Sequence, residues 1–430
     1  MSTYLIKDVE LVNGEKVDIG IADGRISEIS KKINNSYENV LDGSGCIALP
    51  GLVDLHTHLR EPGREDAETV LTGTRAAARG GYTAVFAMAN TDPVADTAGV
   101  VEQVVRLGKE AGWCEVFAVG AVTKDLAGES MAELGAMAHS AAQVRVFSDD
   151  GKCVSDSQMM RRALEYVRQF DGVIAQHAQD PRLTVNAQMN EGTVSARLGL
   201  RGWPAVAEEG IIARDVLLAS HVKSRLHICH VSTAGSVDII RWAKSRGINV
   251  TAEVTPHHLL LSDELVESYD PKFKVNPPLR SNEDIAALRM GLADGTIDIV
   301  ATDHAPHPAE DKECEWASAA NGMIGLETAL SVVQKTMVDT GLINWAQVAE
   351  RMSITPAKIG RAMDQGIALA VGAPANITIY DPSKSRTVVA TEQISKSKNT
   401  PFAGIELPGE VRHVFFKGNP TMISTEMVAR

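Results

Sequence analysis

Two histidines stand two positions apart at the end of an apolar run. The stretch DLHTHLREPG, residues 54–63, places His56 and His58 behind CIALPGLVDL, a pattern that is typical of one buried strand. Alternation along a strand directs both imidazole rings to the same side. Two imidazoles on one side are either a costly polar intrusion or half of a metal site.

Residues that can bind a metal or a substrate also end most of the other apolar runs in the middle of the chain. These residues are Asn90, Asp149, Asp150, His177, His230, His257, His258, Asp303, His304 and His307. Histidine and carboxylate ligands without cysteine fit hydrolytic zinc better than structural zinc. Cys229 stands beside His230, but alternation points it the other way, so we expect it to pack in the core. The pattern favours a hydrolytic metal site with His56 and His58 as ligands.

The elements that must position these residues are eight short apolar runs separated by amphipathic segments with helical spacing. The runs are CIALPGLVDLHTH, TAVFAMAN, EVFAVGAVT, QVRVFSDD, GVIAQHAQD, RLHICHVS, NVTAEVTPHH and IDIVATDHAPH. Continuous apolar strands that alternate with helices predict a parallel sheet covered by helices. Eight such units favour an α/β fold of the (β/α)8 TIM-barrel type over an open doubly wound sheet. The carboxyl ends of barrel strands converge on one mouth, where these polar residues would share a site.

The two ends of the chain have a different pattern. Polar and apolar residues alternate over residues 1–50, with turn signals at NGEK and ADGRI, and ANITIYDPSKSRTVV and VRHVFFKGNP near the C-terminus are similar. We therefore expect residues 1–50 and 361–430 to form one small β domain, beside a barrel of residues 51–360. A chain of 430 residues suits this combination of one large barrel and a smaller domain.

Composition and charge argue against several classes of protein. With 44% hydrophobic and 23% charged residues, the chain has the balance of a soluble globular protein. A formal net charge of -13 argues against nucleic acid or an anionic membrane as the main partner. No run approaches the roughly 20 apolar residues of a membrane span, and the N-terminus lacks the pattern of a signal peptide. Five scattered cysteines without a C-x-x-C pair indicate reduced thiols in a cytoplasm.

Several motifs occur in an order that resembles a known family. They are DLHTHLREPG, FSDDG, AQHAQD, CHVSTAGS, TAEVTPHHL, NPPLR, ATDHAPH and NTPFAG. In this order they resemble the amidohydrolase superfamily and, more narrowly, the dihydroorotases of the longer bacterial class. The H-x-H pair with TDHAPH specifies only the superfamily, whereas HLREPG, NPPLR and TPHHL carry the narrower resemblance. It extends over essentially the whole chain.

The resemblance implies an activity, a cofactor and a set of site residues. The reaction would be the reversible cyclisation of N-carbamoyl-L-aspartate to L-dihydroorotate in pyrimidine biosynthesis, with one or two zinc ions. The implied metal ligands are His56, His58, Asp150, His177, His230 and Asp303, of which Asp303 is also the catalytic base. The implied substrate-binding residues are His58, Arg60, Asn90, Asn276, His307, Asn321 and Gly322. The resemblance also implies a homo-oligomer such as a dimer, and it leaves open an association with an aspartate transcarbamoylase.

Two positions depart from the family pattern. Many relatives bridge their two metals with a carboxylated lysine, where this chain has SDDGK. Either Asp149 or Asp150 would then provide the bridge, and we favour Asp150 because the resemblance aligns there. Lys152 lies past the strand and beside a glycine, so we expect it to face solvent. In NGMIG, residues 321–325, relatives often carry an aromatic residue before the first glycine, which weakens the roles implied for that segment.

Other functions remain open at the level of the sequence. A hydantoinase, dihydropyrimidinase or allantoinase needs the same metals, but its usual substrates lack the ring carboxylate that Arg60 would bind. A non-catalytic barrel that scaffolds aspartate transcarbamoylase would have lost metal ligands, whereas all six positions are filled here. The long polar segment 304–322 is consistent with a lid over the mouth and equally with an ordinary loop.

Overall fold

The alternating residues at the start of the chain form half of a sheet. The computed structural model describes residues 2–429. The N-terminal strands are β1 (Tyr4–Leu11), β2 (Lys16–Ala22), β3 (Arg25–Ser30), β4 (Asn39–Asp42) and β5 (Ile47–Pro50). β1 pairs antiparallel with β2, and β2 pairs antiparallel with β3. β1 also pairs parallel with β4 and β5. Their apolar side chains pack in one buried cluster around Ile6, Ile19 and Ile26.

Eight parallel strands form the barrel, and each coincides with one of the eight apolar runs, with β7 beginning one residue before its run. The first five are β6 (Leu52–Thr57), β7 (Tyr82–Ala87), β8 (Glu115–Ala118), β9 (Val146–Phe147) and β10 (Val173–Gln176). A short parallel pair follows, formed by β11 (Met189–Asn190) and β12 (Gly202–Trp203). The last three barrel strands are β13 (Leu226–Ile228), β14 (Val250–Val254) and β15 (Ile299–Val300).

Two isolated bridges close the barrel. Strands β6 to β8 form one parallel set, and β9, β10, β13, β14 and β15 form another. A bridge between Gly120 and Phe147 joins the first set to the second, and a bridge between Thr57 and His304 joins the last strand back to β6. The predicted (β/α)8 barrel is confirmed, and all eight runs supply a strand.

The first apolar run differs from the prediction of a single buried strand. CIALPGLVDL is buried throughout, but it contains two strands, because β5 belongs to the terminal sheet and β6 to the barrel. Gly51 separates them, and a Cβ at this position would lie 2.3 Å from Oγ1 of Thr83. Only glycine fits where the chain passes so close to β7. The prediction of one strand is therefore wrong, although its burial is correct.

Helices follow the strands and cover the barrel. They are α1 (Val70–Arg79), α2 (Ala98–Ala111), α3 (Leu134–His139), α4 (Ser157–Val167), α5 (Thr193–Leu198), α6 (Val206–Val222), α7 (Ala234–Ser245), α8 (Pro256–Leu260), α9 (Asn282–Asp294), α10 (Ala309–Lys312), α11 (Ala329–Val333), α12 (Trp345–Ala349) and α13 (Thr355–Gly360). The side chains of Thr69, Asp156 and Thr233 cap three of them by accepting a hydrogen bond from a backbone N–H of the first turn. Within residues 2–429, none of these helices is both long and apolar enough to span a membrane.

The C-terminal segment completes the first sheet. Its strands are β16 (Ile377–Thr387), β17 (Glu406–Phe416), β18 (Asn419–Ile423) and β19 (Glu426–Met427). β16 pairs antiparallel with β5 on one side and with β17 on the other. The two ends of the chain therefore share one sheet, in the order β19-β18-β17-β16-β5-β1-β2-β3, with β4 beside β1. The predicted small β region built from both ends is confirmed.

Candidate active site

The polar residues that end the barrel strands meet at one mouth. They follow or end five different strands: His56 and His58 at β6, Asp150 after β9, His177 after β10, His230 after β13 and Asp303 after β15. None of the six side chains belongs to a residue more than 4% exposed. The structure brings together the six residues for which the resemblance implied a metal-binding role, whereas His257, His258 and His304 are not part of this group.

Asp150 lies at the centre of this group. Its carboxylate oxygens lie 3.1 to 3.4 Å from one ring nitrogen each of His56, His58, His177 and His230. Asp303 Oδ1 lies 3.1 Å from His58 Nε2 and 3.5 Å from His56 Nε2. Asp150 therefore contacts two sets of histidines, one shared with Asp303 and one formed by His177 and His230. This geometry suits a carboxylate that bridges two metal positions.

The contacts of the imidazole nitrogens that point away from Asp150 indicate whether these histidines can bind a metal. Three rings contact an oxygen acceptor on the side away from Asp150: His56 Nδ1 with Glu253 (2.6 Å), His58 Nδ1 with Asn90 (2.8 Å) and His177 Nε2 with Gln179 (2.8 Å). In the tautomer that donates its ring proton to that oxygen, the lone pair of the other nitrogen faces the carboxylates. Nε2 of His56 is buried without a hydrogen-bond partner. Lone pairs that face carboxylates need a cation between them, so the donor set fits a metal ion.

Asp149 has a different role from its neighbour. Its carboxylate accepts hydrogen bonds from the backbone N–H groups of Val122 and Thr123, at 2.8 and 3.0 Å, and from the Thr123 hydroxyl. These contacts turn it away from the histidines, and Asp150, the favoured residue, is the one beside them. Lys152 is exposed, as expected.

Electrostatics keep the carboxylates of the site ionised. Burial disfavours charge on Asp303, but the rings of His56 and His58 outweigh it and lower its pKa to about 2. Burial is likewise outweighed at Asp150, where His56, His177 and His230 hold the pKa well below its usual range. At Cys229 burial raises the pKa of the thiol, so it stays neutral, and it packs with Val53 and other apolar side chains as expected. The chemistry available here is that of carboxylates and imidazoles.

A cavity of about 260 Å³ opens directly above these ligands. It is lined by all seven residues for which the resemblance implies substrate contacts: His58, Arg60, Asn90, Asn276, His307, Asn321 and Gly322. Asp150, His177 and Asp303 form part of the same lining. Oδ1 of Asn276 is buried without a hydrogen-bond partner, while its amide donates to Gln179 at 3.0 Å. The metal-binding group and the predicted substrate group therefore face one space.

Arg60 brings a positive charge to this space. Its backbone has a φ of 62°, and its Nε donates a hydrogen bond to the Pro306 carbonyl at 3.1 Å. Nη2 lies 3.3 Å from Nε2 of His307. Burial lowers the pKa of Arg60 to about 10, so the guanidinium remains protonated at neutral pH. Burial and the neighbouring Arg60 lower the pKa of His307 to about 3, so this ring is neutral.

The segment 304–322 lies against the mouth and contains the short helix α10. The amide nitrogen of Asn399 donates to the carbonyls of Ala305 and Gly322, at 3.0 and 3.2 Å. Arg64 forms an ion pair of 2.8 Å with Asp311. Gly322 has a φ of 148°, and a Cβ there would lie 2.7 Å from Nε2 of His307. The segment is fastened at several points beside the cavity, which Ala305, His307, Asn321 and Gly322 line.

Sequence reasoning missed the residues that hold the ligands in place. Glu253, on β14, accepts a hydrogen bond from His56 and from the backbone N–H of His230, and its other oxygen lies 2.9 Å from His227 Nε2. It is 1% exposed. A signal for it exists, because TAEV places a single acid inside an otherwise buried strand. Gln179 and Asn399 were missed as well, although both belong to motifs that carry the resemblance.

Comparison with known sequences identifies similar proteins over the full length of the chain. A family model described as "Dihydro-orotase-like" matches residues 45–236. The dihydroorotase of Streptomyces coelicolor is 65% identical over 428 residues, which cover 99% of this chain and 100% of that protein. The dihydroorotase of Leifsonia xyli subsp. xyli is 63% identical, with 98% and 96% covered. That of Mycobacterium tuberculosis is 54% identical, with 95% of each covered.

Solved structures share the fold at lower sequence identity. The L-hydantoinase (dihydropyrimidinase) from Arthrobacter aurescens superposes with a TM-score of 0.88 at 24% identity, over 100% of this chain and 98% of that one. The dihydropyrimidinase from Brevibacillus agri superposes with a TM-score of 0.83 at 22% identity, over 99% and 96%. At these identities the match establishes the common barrel and terminal sheet.

Proposed function

The chain belongs to the dihydroorotase family, and we propose that the cavity at the barrel mouth is where it carries out the reaction of that family. The protein is a cyclic amidohydrolase that interconverts N-carbamoyl-L-aspartate and L-dihydroorotate in pyrimidine biosynthesis. The observation that carries this assignment is 65% identity over 99% of the chain to a dihydroorotase. The roles of individual residues in metal binding, proton transfer and substrate binding are our proposal, and the geometry of the mouth supports them.

The enzyme depends on a metal, and we propose that the metal is zinc. Histidine and aspartate donors without cysteine fit a catalytic zinc site. One position would be held by His56, His58 and Asp303, the other by His177 and His230, with Asp150 shared between them. When bound, zinc supplies a nucleophilic water of lowered pKa and polarises the ring carbonyl as a Lewis acid.

Asp303 is proposed to move the proton. Its lowered pKa, about 2, keeps it ionised at neutral pH, which is the state that accepts a proton. In ring opening it takes the proton of the attacking water and passes it to the ring nitrogen as the carbon–nitrogen bond breaks. In ring closure the same carboxyl takes a proton from the attacking nitrogen and gives it to the hydroxide oxygen as the carbon–oxygen bond breaks, so that this oxygen leaves as water. Nε2 of His58 lies 3.1 Å from Asp303 Oδ1, and both residues line the cavity.

Arg60 is proposed to select the substrate through its carboxylate. A guanidinium can hold a carboxylate with two parallel hydrogen bonds. Arg60 lines the same cavity as Asp303, so a carboxylate bound there would place the cyclic amide over the proposed metals. Asn90, Asn276 and the 321–322 turn complete the contacts with the ring.

A hydantoinase or dihydropyrimidinase is the second candidate, because solved structures with these names share the fold. Their usual substrates lack a ring carboxylate, and the half-buried guanidinium of Arg60 on the cavity wall would then face a neutral ring. Withdrawing a charge from water without an anionic partner is unfavourable. The position of Arg60 therefore favours the substrate that carries an anion.

We further propose the surroundings in which the enzyme works. Five free cysteines support a cytoplasmic location. Residues 1–50 and 361–430 would form one domain and residues 51–360 the other. A homo-oligomer such as a dimer, and an association with aspartate transcarbamoylase, are proposals for light scattering and co-elution to test.

The assignment is tested with the purified protein. Its metal content should be measured, and turnover should be assayed with dihydroorotate, hydantoin and allantoin. We expect zinc in the protein and a clear preference for dihydroorotate. A preference for hydantoin or allantoin at full metal occupancy would assign the chain to another activity.

A further inference from the structure

A buried lysine, Lys312, fastens the 304–322 segment beside the mouth of the barrel. Lys312, the last residue of α10, is 7% exposed. Its Nζ donates hydrogen bonds to three backbone carbonyls, those of Lys274 (3.1 Å), Ala320 (2.8 Å) and Gly322 (3.1 Å). An ammonium group has three donors, and here each has one acceptor. The side chain thus joins three points of the backbone with a single charged group.

The three carbonyls belong to the part of the mouth that surrounds the substrate cavity. Gly322 lines that cavity, and Lys274 lies two residues before Asn276, which also lines it. The backbone N–H of Gly322 donates to the same Lys274 carbonyl at 3.0 Å. Lys312 therefore sets the distance between the 320–322 turn and the segment that carries Asn276.

A chain of contacts continues from this turn to the proposed carboxylate-binding residue. The carbonyl of Asn321 lies 2.9 Å from Nε2 of His307, and the same nitrogen lies 3.3 Å from Nη2 of Arg60. Gly322 packs against the ring of His307 so closely that a Cβ would not fit. A neutral ring cannot both donate to Asn321 and accept from Arg60 through one nitrogen. The guanidinium is therefore held through the Pro306 carbonyl beside His307, which accepts from Nε at 3.1 Å. A shift of the turn would move His307 and, with it, the backbone that holds Arg60.

The charge of Lys312 has a cost in this environment. Burial and the nearby Lys274 lower its pKa to about 7, and Asp270 and Cys314 act in the opposite direction without restoring it. Lys274 does not replace it, because its own Nζ donates to the carbonyls of Trp316 and Ala317. An apolar side chain would fill the same space without the desolvation penalty. A lysine at this position therefore points to a role for its hydrogen bonds to the turn.

We propose that Lys312 is a positioning residue that sets substrate-carboxylate recognition by holding the 320–322 turn, and through it His307, against Arg60. The proposal rests on the proposed function, since it concerns how Arg60 meets the carboxylate. Lys312 does not touch the metal ligands, so its effect is on binding of the anionic substrate and not on the chemical step.

The test compares Lys312→Met, which keeps the length of the side chain and removes its donors, with Lys272→Met. Lys272 lies two residues before Lys274, and it lines, together with Lys312, a second pocket next to the cavity residue His307. It pairs with Asp270 at 2.7 Å and donates to none of the three carbonyls, so it is a matched control. Both proteins and the parent are assayed on dihydroorotate and on dihydrouracil, which lacks the carboxylate. Zinc content and melting temperature are measured for each. Lys312→Gln, which keeps a neutral donor, replaces Lys312→Met if that variant does not fold.

For Lys312→Met we expect the KM for dihydroorotate to rise about tenfold, the loss of roughly one charged hydrogen bond. Its kcat, its kinetics on dihydrouracil and its zinc content should stay near those of the parent, and Lys272→Met should match the parent throughout. Equal proportional losses on both substrates, a loss confined to kcat, or no loss would overturn the proposal. A parent that does not prefer dihydroorotate would overturn the proposed function itself, which separates the two failures.

Discussion

Two regions of the mouth are built by different means. The floor consists of His56, His58, Asp150, His177, His230 and Asp303 with Glu253 beneath them, and its side chains stand at strand ends and contact one another. The wall consists of Arg60, Asn276, His307, Asn321 and Gly322 with Lys312 and Asn399 behind them, and here side chains hold the backbone of loops. The floor is fixed by the barrel, whereas the wall is fixed by a small number of hydrogen bonds.

The difference corresponds to what each region must do. Metal ligands need positions fixed to within about half an ångström, which strand ends provide. Substrate selection depends on loops that a rigid scaffold carries and that can differ without disturbing it. Arg60, the residue proposed to bind the substrate carboxylate, lies in the wall, so we expect the choice of substrate to depend on the wall. Changes to the floor should therefore remove turnover on all substrates, and changes to the wall should remove preference.

The largest effect should come from removal of the metal. Chelation should abolish turnover on every cyclic amide, because the floor then lacks its Lewis acid. Zinc added in the absence of carbon dioxide should restore it, since Asp150 already supplies a carboxylate where a modified lysine would need bicarbonate. Activity that returns only with added bicarbonate would contradict the role proposed for Asp150.

The second largest loss of turnover should come from substitution of the proposed base. Asp303→Asn keeps the shape of the side chain but cannot carry a proton, a role that typically contributes 10²–10⁴-fold to rate. Turnover in both directions should fall by that order, on dihydroorotate and dihydrouracil alike. Zinc must be quantified, because Asp303 is also a proposed ligand. Near-normal turnover at full zinc occupancy would exclude Asp303 from proton transfer.

Glu253 offers a test of what lies beneath the floor. Glu253→Gln weakens the acceptor that orients His56 and contacts His227, and partners of this kind typically contribute 10–100-fold to metal affinity or activity. We expect zinc affinity to fall within that range, measured by competition with a chelator. Glu208→Gln is the matched control, a buried glutamate that binds Ser232 and Ser236 instead of a ligand. Equal zinc affinity in both variants would mean that Glu253 does not position His56.

The smallest effect should be the pH dependence of stability that Lys312, in the wall, produces. The pKa of Lys312 is lowered in the folded protein from 10.5 to about 7. Between these two pKa values the unfolded chain binds more protons than the folded protein. The contribution of Lys312 to the free energy of unfolding is therefore largest above pH 10.5 and is lost as the pH falls toward 7.

Urea unfolding from pH 10 down to pH 7 measures this contribution. The free energy of unfolding of the parent should decline relative to Lys312→Met, and Lys272→Met should follow the parent. A constant difference between the parent and Lys312→Met over this range would show that the Lys312 pKa is not lowered by folding.

The floor could be read from the sequence more completely than the wall. Strand ends of a barrel converge by geometry, so His56 and Asp303 could be assigned to one mouth once eight runs were counted. The choice of Asp150 over Asp149 needed the structure, because both stand at the same strand end and only contacts with Val122 and Thr123 separate them.

The supporting residues could not be predicted because their roles depend on distant parts of the chain. Glu253 reaches His56 across 197 positions, and Asn399 reaches Ala305 across 94. No local period records such contacts. The single-strand prediction for CIALPGLVDL failed for a related reason, since burial alone does not show that a chain has moved from one sheet to another at Gly51.

The most direct test of this account is Arg60→Met, assayed with the parent on dihydroorotate and dihydrouracil at equal zinc content. Hydrogen bonds to charged groups contribute roughly 1.5–3 kcal/mol each, and 1.4 kcal/mol is about tenfold. Loss of a bidentate contact should therefore lower kcat/KM for dihydroorotate on the order of 10²-fold or more. The value for dihydrouracil, already low in the parent, should change little. Equal proportional losses on the two substrates would show that Arg60 supports the structure of the site without reading the carboxylate, and would contradict the assignment of substrate choice to the wall.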